Sequence, residues 1–192
     1  MDVVAGKWNV VGHAWAVEYL RHALVQERLG HAYLFAGPPQ VGKRTLALEF
    51  ARAIECRESP APCGTCRSCR LALAGTHPDI VTVRGEGKGG ALLVDQVKPL
   101  RQEAFLSPME GRYRIYIITG MELANESAAN ASLKTLEEPP AHVIFLLTAT
   151  AAQLVTPTIL SRSQVIALRA ESQRTIQQAL VAGYGVEPAR AE

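Results

Sequence analysis

Short apolar runs alternate with longer amphipathic stretches along the whole chain. The runs Ala32-Tyr33-Leu34-Phe35-Ala36, Arg114-Ile115-Tyr116-Ile117-Ile118 and residues 143–147 are almost wholly apolar. That is the pattern of strands buried on both faces of a parallel sheet. Residues 79–83 add a short β-branched strand and 164–168 a last one. Between the strands the apolar spacing turns helical. Val17, Leu20 and Leu24 share one helical face, with Gly30 as the expected stop. A helix over about 43–54 follows the first strand. Asp95 is read as the cap of a helix reaching Phe105, with Pro99 near its first turn. A further helix spans roughly 125–136 and ends at Glu137-Glu138-Pro139-Pro140; a last one starts near Ser172. Residues 85–90, rich in glycine, form a flexible loop. Strands and helices in alternation predict an α/β domain with a mainly parallel sheet.

Composition narrows the class further. The chain has 192 residues, 48 % of them apolar, enough to fill the core of one good-sized domain. A formal net charge of +2 gives no electrostatic case for a dedicated nucleic-acid binder. Met1-Asp2-Val3-Val4 lacks the basic-then-apolar order of a signal peptide. The longest apolar stretch, 143–155, is too short to span a bilayer. The chain therefore reads as soluble and cytoplasmic, with no membrane partner. The helix after Ser172 has little to pack against, so a fragment of a longer protein is expected.

The segment between the first strand and its helix carries a phosphate-binding loop, Gly37-Pro38-Pro39-Gln40-Val41-Gly42-Lys43. Two glycines five apart, then lysine, present backbone N–H groups and an ammonium to a phosphate. The next residue normally donates a hydroxyl to nucleotide-bound magnesium, and here it is Arg44. Thr45 comes one residue late, which rotates it by about 100° around the helix. The metal half of the site is thus degenerate. The acidic half is degenerate too. P-loop ATPases end a neighbouring buried strand on a carboxylate that holds magnesium, followed in the AAA+ branch by a glutamate that orients water. Here the strand 114–118 ends in Thr119-Gly120. Glu122 lies two positions beyond the expected base. Hydrolysis of ATP is not expected, and binding of ATP and magnesium is expected to be weak or absent. Survival of the loop purely as scaffold is the alternative.

All four cysteines fall within fourteen residues, at Cys56, Cys63, Cys66 and Cys69. Two overlapping Cys-x2-Cys units can close four thiolates around one zinc ion, a structural site with no open position. A disulfide pair and an iron–sulfur cluster are the alternatives. His77 is read as a turn or packing residue, since four thiolates already fill the shell.

Two segments then make the chain recognisable. Asn130-Ala131-Ser132-Leu133-Lys134-Thr135-Leu136-Glu137-Glu138-Pro139-Pro140 resembles the signature helix of bacterial clamp-loader subunits, AAA+ components of DNA polymerase III. Thr158-Ile159-Leu160-Ser161-Arg162-Ser163 resembles their Ser-Arg-Cys motif, with Ser163 in place of cysteine. His31-Ala32-Tyr33-Leu34-Phe35 and the cysteine insert belong to the same pattern, which covers about Trp8 to Leu168. Two related subunits share it: the gamma/tau ATPase and the catalytically degenerate delta-prime subunit. His77-Pro78-Asp79, the run Val94-Asp95-Gln96-Val97-Lys98-Pro99-Leu100, Thr119-Gly120 and Gly42-Lys43-Arg44 favour delta-prime. Thr119 departs from the many delta-prime chains that keep an acid there.

The resemblance implies a RecA-like AAA+ core with a five-stranded parallel sheet flanked by helices, over residues 1–170. The zinc module sits at 56–69, and 171–192 begin a helical lid; the rest of the lid and a collar domain lie outside the chain. It also implies a role in DNA replication as a non-hydrolysing stator that helps load the sliding clamp onto primer-template DNA. The expected partners are gamma/tau and delta subunits, with the clamp and DNA met through the assembled complex. Arg162 is implied as an arginine finger reaching a neighbour's ATP site. A planar, permanently charged guanidinium suits that task; a solvated arginine or a local salt bridge is the plainer alternative. Thr148 and Thr150 fall where the family senses the γ-phosphate, or simply cap their strand. A gamma/tau-type ATPase motor is the alternative function. A stand-alone zinc or nucleotide-binding module is the third.

Overall fold

The computed structural model describes residues 6–125, 127 and 136–184. Five strands, β1 (Ala32–Ala36), β2 (Ile80–Val83), β3 (Arg114–Ile118), β4 (Val143–Ala149) and β5 (Gln164–Ala167), form one sheet. Its order is β2-β3-β4-β1-β5, and every pairing is parallel. All residues of β1, β3 and β4 are buried, which is why those stretches carry no polar face. Alternate residues serve opposite sides. Tyr33, Phe35, Ile115, Ile117, Ile144 and Leu146 pack under α1 (Ala14–Val25) and α2 (Lys43–Glu55). Leu34, Tyr116, Ile118, Phe145 and Leu147 pack against α4 (Val94–Glu103) on the other side.

Several predicted boundaries move, each for a local reason. α1 ends five residues before Gly30. Glu27 adopts φ 52, with Arg28 N–H on the Ala23 carbonyl and Glu27 N–H on Leu24. That is a Schellman closure with a non-glycine residue in the left-handed position. Gly30 instead donates its N–H to the Tyr33 hydroxyl. Asp95 does not cap α4. The helix starts after Leu93, whose N–H is taken by the Gln96 side chain at 3.1 Å; Asp95 sits in the first turn beside Lys98. Pro99 lies inside the helix, past its first turn. β4 runs two residues beyond the expected end, because Thr148 and Ala149 pair with Phe35 and Ala36.

Two helices come as additions. α3 (Arg67–Ala74) grows out of the cysteine segment, with the Cys66 thiol accepting the Cys69 N–H at its start. α5 (Pro157–Leu160) opens with proline at its first position, where no N–H is needed. The expected helix over 125–136 falls mostly on residues outside those described. The final helix, α6 (Gln173–Tyr184), begins where predicted; Ser172 Oγ accepts the Thr175 N–H at 3.1 Å as an N-cap. No helix among the described residues is long and apolar enough to cross a membrane.

Candidate functional site

The phosphate loop joins the end of β1 to α2 at the C-terminal edge of the sheet. Gly37 is required there, because a Cβ on it would lie 2.4 Å from the Leu168 carbonyl oxygen. Gly42 precedes α2 at φ 89. Lys43 bends back onto its own loop and donates to the carbonyls of Gly37 and Pro38, each at 2.6 Å. Burial lowers the Lys43 pKa, partly opposed by the Glu122 carboxylate.

Arg44 and Thr45 diverge as the helical rotation requires. Arg44 lines a cavity of about 530 Å³ with Thr82, Arg84 and Gln96. Burial and then the charge of Arg84 lower its pKa. Thr45 lines a different cavity of about 510 Å³, walled by Val10, Val11, Gly42, Ile176 and Leu180. Its volume is in the range of small-molecule sites. So the late hydroxyl does not fall where Arg44 stands.

The residues that follow β3 take partners the sequence did not suggest. Thr119 turns its hydroxyl to the Val83 carbonyl at 3.2 Å. Gly120, at φ 73, gives its N–H to Thr148 Oγ1 at 3.3 Å, which accounts for the buried Thr148. The turn after Gly120 brings Glu122 back toward the site. Its Oε1 accepts the Thr150 N–H at 3.1 Å, and its Oε2 is buried with no hydrogen-bond partner.

One functional contact carries no local sequence signal. His13 is buried at φ 53 just before α1; its Nε2 meets the Val41 carbonyl at 2.7 Å, so that nitrogen carries the proton. Its backbone N–H goes to Glu171 Oε1 at 2.7 Å. Glu171 lies two residues before α6, so His13 joins the phosphate loop to the segment that leads into that helix.

Arg162 follows α5. Its Nη1 donates to the Thr158 carbonyl at 3.1 Å and to Ser161 Oγ at 3.2 Å. Its Nη2 pairs with Glu137 Oε1 at 3.1 Å. The arginine thus stands in a local salt bridge in the single chain.

The four cysteines come together away from the phosphate loop, and their sulfurs all lie within 4.8 Å of one another. Cys56–Cys66 and Cys63–Cys69 are each 3.9 Å apart. A tetrahedron with Zn–S bonds of about 2.3 Å has edges of about 3.8 Å, so the donor set fits one zinc ion. Backbone N–H groups of Cys63, Cys66 and Cys69 point at the thiols of Cys56, Cys63 and Cys66. Burial opposes ionisation of Cys63, yet the N–H groups of Cys66 and Thr65 bring its thiol down to about 6. Burial raises the Cys56 and Cys69 thiols. A bound cation reverses that, since a coordinating thiol ionises outright.

His77 stays out of this shell. Its Nε2 faces Ser68 Oγ at 2.9 Å, and its Nδ1 accepts the Asp79 N–H at 3.2 Å. Arg67 grips Glu110 with two hydrogen bonds at 3.0 and 2.8 Å, fastening the cysteine module to the loop before β3.

Comparison with known proteins places this geometry. The profile of the family described as "DNA polymerase III, delta subunit" matches residues 12–172. The DNA polymerase III subunit tau of Bacillus subtilis is 36 % identical over 175 residues, covering 90 % of this chain. The chain spans 30 % of that relative's length. Among solved structures, a DNA polymerase III gamma-subunit-related protein of Thermotoga maritima superposes with a TM-score of 0.64 at 21 % identity, covering 86 % of this chain and 49 % of that one. The Thermotoga maritima RuvB Holliday junction branch migration motor gives 0.57 at 19 %, over 94 % and 55 % of the two chains. These likenesses fix the fold as the RecA-like AAA+ core.

Proposed function

Because the chain belongs to the DNA polymerase III clamp-loader family, we propose that it is the delta-prime-type member, a stator that does not hydrolyse ATP. In this reading it acts in the cytoplasm, beside gamma/tau and delta subunits. It helps load the sliding clamp onto primer-template DNA and reaches DNA only through the assembled complex. Arg162 serves as its arginine finger in trans. The four-cysteine cluster holds a structural zinc that ties the 56–69 segment to α3.

The observation that carries the proposal is the end of β3. Thr119 spends its hydroxyl on Val83, and Gly120 has no side chain. Neither can hold magnesium or activate water, and Arg44 supplies no hydroxyl. A non-hydrolysing subunit still contributes if its guanidinium completes a neighbour's site, an effect of about 10³–10⁵ in rate for arginines supplied in trans.

A second reading, a gamma/tau-type motor, is favoured by the placement of Glu122 and by the likeness to tau. Nucleotide binding and turnover by the purified chain with magnesium, beside zinc quantification, separate the two. The stator reading expects no turnover, weak or absent ATP binding and one zinc per chain. Robust turnover, lost in Glu122→Gln, would make the motor the better account. In an assembled loader, Arg162→Ala should lower ATPase and clamp loading while assembly persists.

A further inference from the structure

We propose that Glu137 is the positioning residue for Arg162. It holds the guanidinium on its own subunit in the free chain and yields it when a neighbour's nucleotide phosphate competes. The inference rests on the reading of Arg162 as a trans arginine and adds the group that governs its release.

The Thr158 carbonyl and Ser161 Oγ hold Nη1 of Arg162, and Glu137 Oε1 holds Nη2. Among these three described partners Glu137 alone carries charge, so it resembles the phosphate oxygens that a trans arginine meets. The closest approach of the two charged groups is 3.1 Å. Arg162 is 34 % exposed and Glu137 is 45 % exposed. Water and an incoming anion can therefore reach the pair, and exchange needs no unfolding.

The two partners sit on firm supports. Leu136, beside Glu137, and Ile159 of α5, before Arg162, are both 1 % exposed and belong to one apolar cluster. The backbones stay fixed while the side chains exchange. A guanidinium facing a carboxylate in cis has the planar geometry that it offers a phosphate in trans. The cis contact thus keeps the donor groups extended and in use, and sets a threshold that a weak or distant anion does not cross.

The test uses a complete clamp loader assembled with this subunit, reading kcat/KM for ATP hydrolysis. Half-exposed pairs of this kind correspond to about a 1.5- to 5-fold effect. Glu137→Gln should raise kcat/KM by that factor, and the gain should shrink as salt is raised. Glu138→Gln removes an equal charge next door, where no ion pair is present among the described residues, and should leave kcat/KM unchanged. In an Arg162→Ala background the gain should vanish. A silent or harmful Glu137→Gln, an equal effect of Glu138→Gln, or a gain that survives without Arg162 would overturn the inference. If Arg162→Ala lowers hydrolysis while Glu137→Gln is silent, this inference alone falls. If Arg162→Ala changes nothing, the trans reading falls and takes this one with it.

Discussion

Asp79→Asn tests a buried carboxylate that accepts three backbone hydrogen bonds. Asp79 is wholly buried, yet it bears a charge. Its Oδ1 accepts the Met109 N–H at 2.7 Å, and its Oδ2 accepts the N–H groups of Glu110 and Gly111 at 2.8 Å each. Burial opposes its ionisation, but the three N–H groups outweigh it and hold the carboxyl below its usual range. Asparagine keeps the shape and loses the arrangement. Its one carbonyl oxygen can serve Glu110 and Gly111, which leaves its NH2 facing the Met109 N–H. Hydrogen bonds to a charged acceptor contribute about 1.5–3 kcal/mol against about 1 for a neutral one, and an orphaned buried donor costs about 1–3 kcal/mol. These terms do not add fully, so about 3 kcal/mol is expected. For a chain of this size that lowers Tm by roughly 6–12 °C. Thermal and urea unfolding at neutral pH would measure it. The pH dependence has a definite sign. A depressed folded pKa contributes stability above the unfolded value of about 3.9, and the contribution is lost as pH falls through the folded pKa. The gap between the two proteins should therefore close in strong acid. A loss below about 1 kcal/mol at neutral pH, or a gap that widens in acid, would refute the reasoning.

Two further outcomes are expected. Cys63→Ser should reduce zinc below one per chain and lower Tm, as a chelator should, while far-UV circular dichroism still shows the sheet, because none of the four cysteines lies in a strand. Arg52→Leu should destabilise by about 3–5 kcal/mol in urea unfolding, since it leaves the buried Glu49 carboxylate with the Asn9 N–H but without its countercharge, and adding Glu49→Leu should restore most of the loss. Burial already raises the Glu49 pKa. The Arg52→Leu loss should accordingly be smallest in acid and grow as pH rises through that raised value.

Legibility in the sequence followed the range of the forces involved. β1 and β3 could be read to the residue, because a strand buried on both faces has no choice but to be apolar throughout. The four-cysteine cluster was legible because its members are close in sequence and account for every cysteine. Helix ends were harder. Glu27 in place of Gly30, and Gln96 in place of Asp95, do work that several nearby residues could equally have done. Contacts across long separations left no trace. His13 and Glu171 meet over 158 residues, and only the folded sheet brings them together. Asp79 stood out within His77-Pro78-Asp79, but its purpose, fixing the turn at 109–111, emerges only when that turn is seen above it.

Glu122 shows where counting along the chain misleads. Two residues past the expected base reads as displaced on an extended strand. A glycine at positive φ followed by one tight turn folds the displacement back, so the carboxylate reaches the Thr150 N–H. The phosphate loop teaches the converse. Its spacing is intact, yet Gly37 is demanded by the Leu168 carbonyl of the neighbouring chain segment, and Lys43 is satisfied by the carbonyls of its own loop. Both residues therefore have structural reasons to be present without any nucleotide. A phosphate that binds here must first draw Lys43 away from two short hydrogen bonds, with no magnesium ligand at Arg44 to assist. The loop thus serves the packing of β1, α2 and residue 168, and any catalysis here would rest on the carboxylates around it.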